Sequence, residues 1–141
     1  MLVMLGNLGA WALANRPEDE RPWAGLINGV ALSPYQVDQN PIEGRHPGPA
    51  DIERDISALS GHVKSVRSYS SLNGADLIPQ AARRHGLTVT QGAWIQGIPE
   101  VDEAEIASLV RLTRHHDTVR RVLVGNEAIL RTDVTVPQQI A

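Results

Sequence analysis

Six side chains of this sequence have the right types to act together on a small polar molecule: Tyr35, Arg67, Tyr69, Trp94, Asn126 and Glu127. Glu127 carries a carboxyl group that can hand over or take up a proton while a bond breaks. Arg67 offers a planar fork of N–H donors, and Asn126 offers both a donor and an acceptor. The tryptophan and the two tyrosines present flat apolar faces with polar tips, which suits the C–H faces of a sugar ring. Each residue also has an ordinary reading alone: Tyr35 as a loop anchor, Arg67 as an internal ion-pair partner, Trp94 as core. Their common position favours the joint reading. All six lie at or just past the end of a segment that reads as a strand, and in parallel α/β folds ligands bind outside the carboxyl ends of the strands.

Other chemistries lack their residues. The chain has no cysteine, which removes disulfides, thiolate nucleophiles and Cys-ligated zinc. Gly92 and Gly97 have phosphate-loop spacing, but Ile98 stands where that loop needs lysine. The serines sit in no Gly-x-Ser-x-Gly elbow, and the five histidines form no His-Glu-x-x-His pattern. His115-His116 read as the close of a helix, where partial positive charge is favourable. Glu100, Asp102, Glu103 and Glu105 read as a solvated helix start. A net charge of −3, with Arg83-Arg84 and Arg120-Arg121 as isolated pairs, argues against a nucleic-acid partner. No cofactor is implied.

The elements that must position these side chains follow from periodicity. At 42% hydrophobic and 21% charged residues the composition is that of a globular domain. From Trp23 onward short apolar segments alternate with amphipathic ones. Predicted strands run over Leu26 to Leu32, Val63 to Tyr69, Leu87 to Trp94 and Val119 to Gly125. Between the first two lie a Pro- and Gly-rich loop from Gln36 to Gly48 and a helix from Pro49 to Leu59, with Ile52, Ile56 and Leu59 on one face. A helix starting near Asp76 buries Leu77, Ile78, Ala81 and Ala82 and stops at Gly86. The next is capped by Asp102 with Glu105 as its capping-box partner, and its apolar face is Ile106, Leu109 and Val110.

Strict strand–helix alternation implies a parallel sheet, either open and doubly wound or closed as a (β/α)₈ TIM barrel. The strand starts are about 31 residues apart, and eight such units need ~250 residues. Four βα units are present, so the expected fold is a truncated half-barrel with an uncovered edge that favours self-association. Thr135 and Gln138 are spaced like a capping box, so a further helix begins as the sequence reaches Ala141. Residues 1–22 stand apart. Met1 to Asn15 carries no charge and reads either as a helix packed on the domain or as the trailing end of a signal anchor. Arg16 to Pro22 reads as a charged linker.

Residues 23–141 resemble the N-terminal half of glycoside hydrolase family 17, the β-1,3-glucanases and glucanosyltransferases. The resemblance rests on Gly29-Val-Ala-Leu-Ser-Pro-Tyr35, Val66-Arg-Ser-Tyr-Ser70, Gly92-Ala-Trp-Ile95 and, most specifically, Val124-Gly-Asn-Glu127. It implies a (β/α)₈ barrel and retaining chemistry on β-glucan with two glutamates. Glu127 would be the acid/base, Asn126 would bind the sugar 2-hydroxyl, and Arg67 would steady the nucleophile. Tyr35, Tyr69 and Trp94 would line the glucosyl subsite. The family's nucleophilic glutamate follows the seventh strand, outside these residues; Glu43 and Glu100, in long loops, are poor substitutes. The expected location is extracytoplasmic, in the periplasm or cell envelope, with membrane attachment through residues 1–15. Two other readings stand beside this one: a non-catalytic glucan-binding or interaction fragment, and an unrelated open α/β domain with a small-molecule site.

Overall fold

The computed structural model describes residues 2–17 and 24–140. Four parallel strands lie in sequential order, β1 (Val30–Ala31), β2 (Ser65–Arg67), β3 (Thr88–Ala93) and β4 (Val119–Val124). Registers pair Val30 with Val66, Val66 with Val89, and Ala93 with Val124. Consecutive parallel strands require a crossover, and α2 (Pro49–Leu59), α3 (Ile78–Arg84) and α4 (Pro99–His115) supply the three needed. The sequential order bears out the barrel expectation, because the sheet has no point where strand order reverses.

Alternation along the strands separates the two faces of the sheet. Val66 and Val89 turn to the helices, where they pack with Val63 and Leu87, with Ile52 and Ile56 of α2, and with Ile78, Ala81 and Ala82 of α3. Arg67 and Thr90 take the opposite face. A second core joins Ala93 and Ile95 at the end of β3 to Leu109 of α4 and to Ala128 beyond β4. Gly92 allows the close approach of β2 and β3: a Cβ there would fall 2.6 Å from the Ser68 carbonyl oxygen. The Ser68 hydroxyl, which accepts from the Gly92 N–H at 3.0 Å, takes up a donor at this point and marks the end of β2.

Several boundaries differ from the sequence expectation. The first strand is shorter than Leu26–Leu32: Ile27 forms only an isolated bridge with Val63 before the ladder at Val30–Ala31. The third crossover helix, α4, starts at Pro99, not at Asp102. Asp102 instead accepts from the backbone N–H groups of Gln96 and Gly97, both at 2.9 Å, and so fixes the loop that enters the helix. Its buried face is Glu105, Ser108, Leu109 and Leu112, whereas Ile106 and Val110 are exposed. The helix beginning at the end of the sequence is α5 (Val136–Ile140), and Gln138 accepts from the Thr135 N–H at 2.8 Å as the capping spacing requires.

The apolar N-terminal segment forms α1 (Leu2–Ala14). It is not packed on the domain: residues 3–17 are all exposed, with Val3 at 78% and Trp11 at 68%. Most of the charged linker lies outside the described residues. Among the described residues no helix is long and apolar enough to cross a membrane.

Candidate active site

The four strands end in loops that enclose a cavity of about 780 Å³. Tyr35 follows β1 and lines it. The Tyr35 hydroxyl is 2.9 Å from Nδ1 of His46, which also lines the cavity, and the two rings meet edge to face. Burial pushes the Tyr35 phenol above its ordinary value of 10.0. The loop carrying His46 is tied down on α2, because Gln36 donates to Asp55 at 3.0 Å and Gln39 to Asp51 at 2.7 Å.

Arg67 is the last residue of β2, and its Nη2 donates to Oδ1 of Asn126 at 2.7 Å. Its guanidinium carbon stands 4.9 Å from the centre of the Tyr69 ring, within the range of a cation–π contact. Arg67 Nε is buried without a hydrogen-bond partner among the described residues. Tyr69, Trp94 and Asn126 line the cavity; Arg67 and Glu127 do not. Glu127 stands next to Asn126 on the exposed rim, with a left-handed backbone (φ 55°). Its side chain makes no hydrogen bond or ion pair among the described residues. Four of the six predicted side chains thus share one cavity, Arg67 joins them through Asn126, and Glu127 joins through the backbone.

One carboxylate of this cavity escapes the sequence expectation. Glu105, read there as solvated, is only 4% exposed and lines the same cavity. Its two carboxylate oxygens accept from the Ser70 hydroxyl at 2.5 Å and the Ser71 N–H at 2.7 Å. Helical spacing carried the signal: Glu105 is three, four and seven residues before Ser108, Leu109 and Leu112, which are all buried. His46 and Gln96 also line the cavity, and both lie in loops, where periodicity gives no signal.

A family profile described as the BtgE/BtgC glycoside hydrolase domain matches residues 29–141. The chain belongs to this glycoside hydrolase family. The resemblance to the N-terminal half of glycoside hydrolase family 17 is borne out. A glucan 1,3-beta-glucosidase of Arthroderma benhamiae is 31% identical over 102 residues, 68% of this chain and 32% of that protein. The Saccharomyces cerevisiae glucan 1,3-beta-glucosidase is 25% identical over 122 residues, 82% of this chain and 38% of that one. The chain thus spans about a third of the length of these curated relatives. Among solved structures, the glycoside hydrolase family 17 beta-1,3-glucanosyltransferase from Rhizomucor miehei superposes with a TM-score of 0.64 at 24% identity, over 82% of this chain and 41% of that one. An active-site mutant of the same enzyme in complex with laminaritriose gives 0.62 at 23% identity, over 77% and 40%. These two likenesses place the chain in the barrel fold.

Proposed function

We propose that this chain supplies the acid/base half of a retaining β-1,3-glucan hydrolase or transglycosylase, with the nucleophile on a segment outside residues 1–141. The observation that carries the reading is the Arg67–Asn126 hydrogen bond, which fixes the residue before Glu127 at the mouth of an aromatic-lined cavity. Glu127 delivers the proton to the departing glycosidic oxygen and later withdraws one from the water or sugar hydroxyl that resolves the glycosyl-enzyme. Asn126, already oriented by Arg67, binds the 2-hydroxyl, a contact that strengthens as the oxocarbenium-like transition state forms. The unpartnered Arg67 Nε supports a second carboxylate as neighbour, since a buried cationic donor without an acceptor is costly. Tyr35, Tyr69 and Trp94 form the walls against which sugar faces rest. The relatives named glucan 1,3-beta-glucosidase and the laminaritriose complex support β-1,3-glucan as the polymer.

A retaining mechanism needs two carboxyls ~5–5.5 Å apart, so residues 1–141 by themselves bind glucan without turning it over. In the enzyme with its barrel completed, Glu127→Gln abolishes cleavage of glucan, whose leaving group needs protonation. Activated aryl glucosides keep a fast first step in that variant, and the two substrates differ by the ~10²–10⁴-fold that general-acid help supplies. Equal losses on both would give Glu127 another role. A glucan substrate and the unpartnered α1 together support an extracytoplasmic, envelope-attached setting. Membrane attachment in this proposal runs through α1, which is 13 residues long among the described residues. Vesicle flotation with and without Leu2–Ala14 reads this directly.

A further inference from the structure

Arg131 has no place in the chemistry above, yet its guanidinium meets residues of two strand-end loops. Its guanidinium carbon lies 4.2 Å from the centre of the Trp94 ring. Nη2 donates to the Ile95 carbonyl at 2.8 Å, one residue past Trp94, and Nη1 donates to the Asn126 carbonyl. Nε donates to the Asp133 carboxylate at 2.8 Å, which holds the fork in plane. The Arg131 backbone N–H donates to the Glu127 carbonyl at 2.8 Å. Gly97, with φ 77°, lies so near this loop that a Cβ would fall 2.2 Å from the Asp133 carbonyl oxygen.

The loops after β3 and β4 are thus fastened at one guanidinium. Each takes part of a planar, rigid fork that lysine cannot imitate, because an ammonium neither lies flat on an indole nor reaches three separated acceptors at once. Glu127 and Gly125 hold left-handed backbones (φ 55° and 75°). For glutamate that conformation is uncommon and needs support from its surroundings. The bonds to the carbonyls of Asn126 and Glu127 are that support.

We propose that Arg131 is a positioning residue that locks the Trp94 platform and the Asn126–Glu127 turn into one rigid unit. Sugar contact at Trp94 and the direction of the Glu127 carboxyl are therefore set together. The proposal rests on the glucan-site reading for its purpose, but its geometry can be read without sugar.

The test uses ¹⁵N-labelled residues 1–141 and two reporters, the Trp94 indole N–H and the Glu127 amide. Arg131→Lys shifts and broadens both while leaving the amides of Val66 and Val89 in place. Asp133→Asn, which loosens the fork without removing it, moves the same two signals in the same direction by less. Laminaritriose affinity falls about tenfold in Arg131→Lys, and Arg84→Lys, far along α3, changes neither reporter nor affinity. Movement of only one reporter overturns the proposal. So does a uniform change across all strand amides with a lowered urea midpoint, which is the mark of a merely structural residue. Should Arg131→Lys fail to fold, the outcome is decided by Asp133→Asn, whose two reporters must still move together. If laminaritriose binds no variant, wild type included, yet the reporters move together, the glucan reading fails and the clamp stands. If the sugar binds while the reporters move independently, the clamp fails and the glucan reading stands.

Discussion

A carboxylate taken out of water must have its lost hydration replaced by donors, and Glu105 shows which donors this cavity provides. Both oxygens are used, by the Ser70 hydroxyl and the Ser71 N–H, so the helix-borne acid pins the loop that follows Tyr69. Glu105→Ala removes both acceptors, and leaving the buried Ser71 N–H unmet costs about 1–3 kcal/mol. A fall of that size in the unfolding free energy from urea titration is the expected result; an unchanged midpoint would show that the loop stands without it. Glu105 also shows where reading by residue type stops. Asn126 and Glu127 were legible because they end a run, Val119 to Val124, that can only be a strand. Glu105 and Arg131 were not, since the groups they bind come from residues some 35 positions away in sequence, such as Ser70 and Ile95.

At the scale of elements, the strands and crossovers were legible from alternation, while their ends were set by side chains. Asp102 has the sequence signature of a helix cap, but Pro99, with no N–H to satisfy, can open the helix one turn earlier. Asp102 then becomes the anchor of the preceding loop. The joint between α2 and α3 depends on charge in a similar way. Glu53 of α2 accepts from Arg84 and from His85 Nε2 at 2.7 Å. The Arg84 hydrogen bond, followed by that of His85, holds the Glu53 carboxyl below its ordinary 4.5. Asp51 is likewise held below 3.8, first by the Gly48 N–H, then by Gln39 and Arg54. A carboxyl whose folded-state pKa is depressed contributes stability that is present above its unfolded value and lost as pH falls through the folded one. The urea midpoint should therefore drop as pH is taken from 6 to 3, and Glu53→Gln should make that drop shallower by lowering the pH 6 end. Parallel curves for the two proteins would remove Glu53 from the acid response.

At the scale of the molecule, four βα units make a curved sheet whose two edges, β1 and β4, find no further strand among the described residues. Leu26 and Ile27 before β1 and Val122 on β4 are exposed, as are residues 3–14 of α1. Open edges and apolar surface of this kind favour association. Sedimentation of residues 1–141 should show a mass that rises with concentration above 15.3 kDa, and removing Leu2–Ala14 should separate the helix contribution from that of the edges. A constant monomer mass would contradict this. The half-barrel itself was legible from the repeat of strand starts; the exposed state of α1 was not, because an uncharged segment reads alike whether it packs inward or stands free. On the proposed reading, the strand ends form a β-1,3-glucan site around Asn126. Titration of ¹⁵N-labelled residues 1–141 with laminaritriose tests it most directly. Saturable shifts confined to Tyr35, Tyr69, Trp94, Asn126 and their neighbours, and lost in Asn126→Ala with the rest of the spectrum intact, are the predicted result. No shifts at millimolar sugar, or shifts centred on α1 or the outer helix faces, would contradict it.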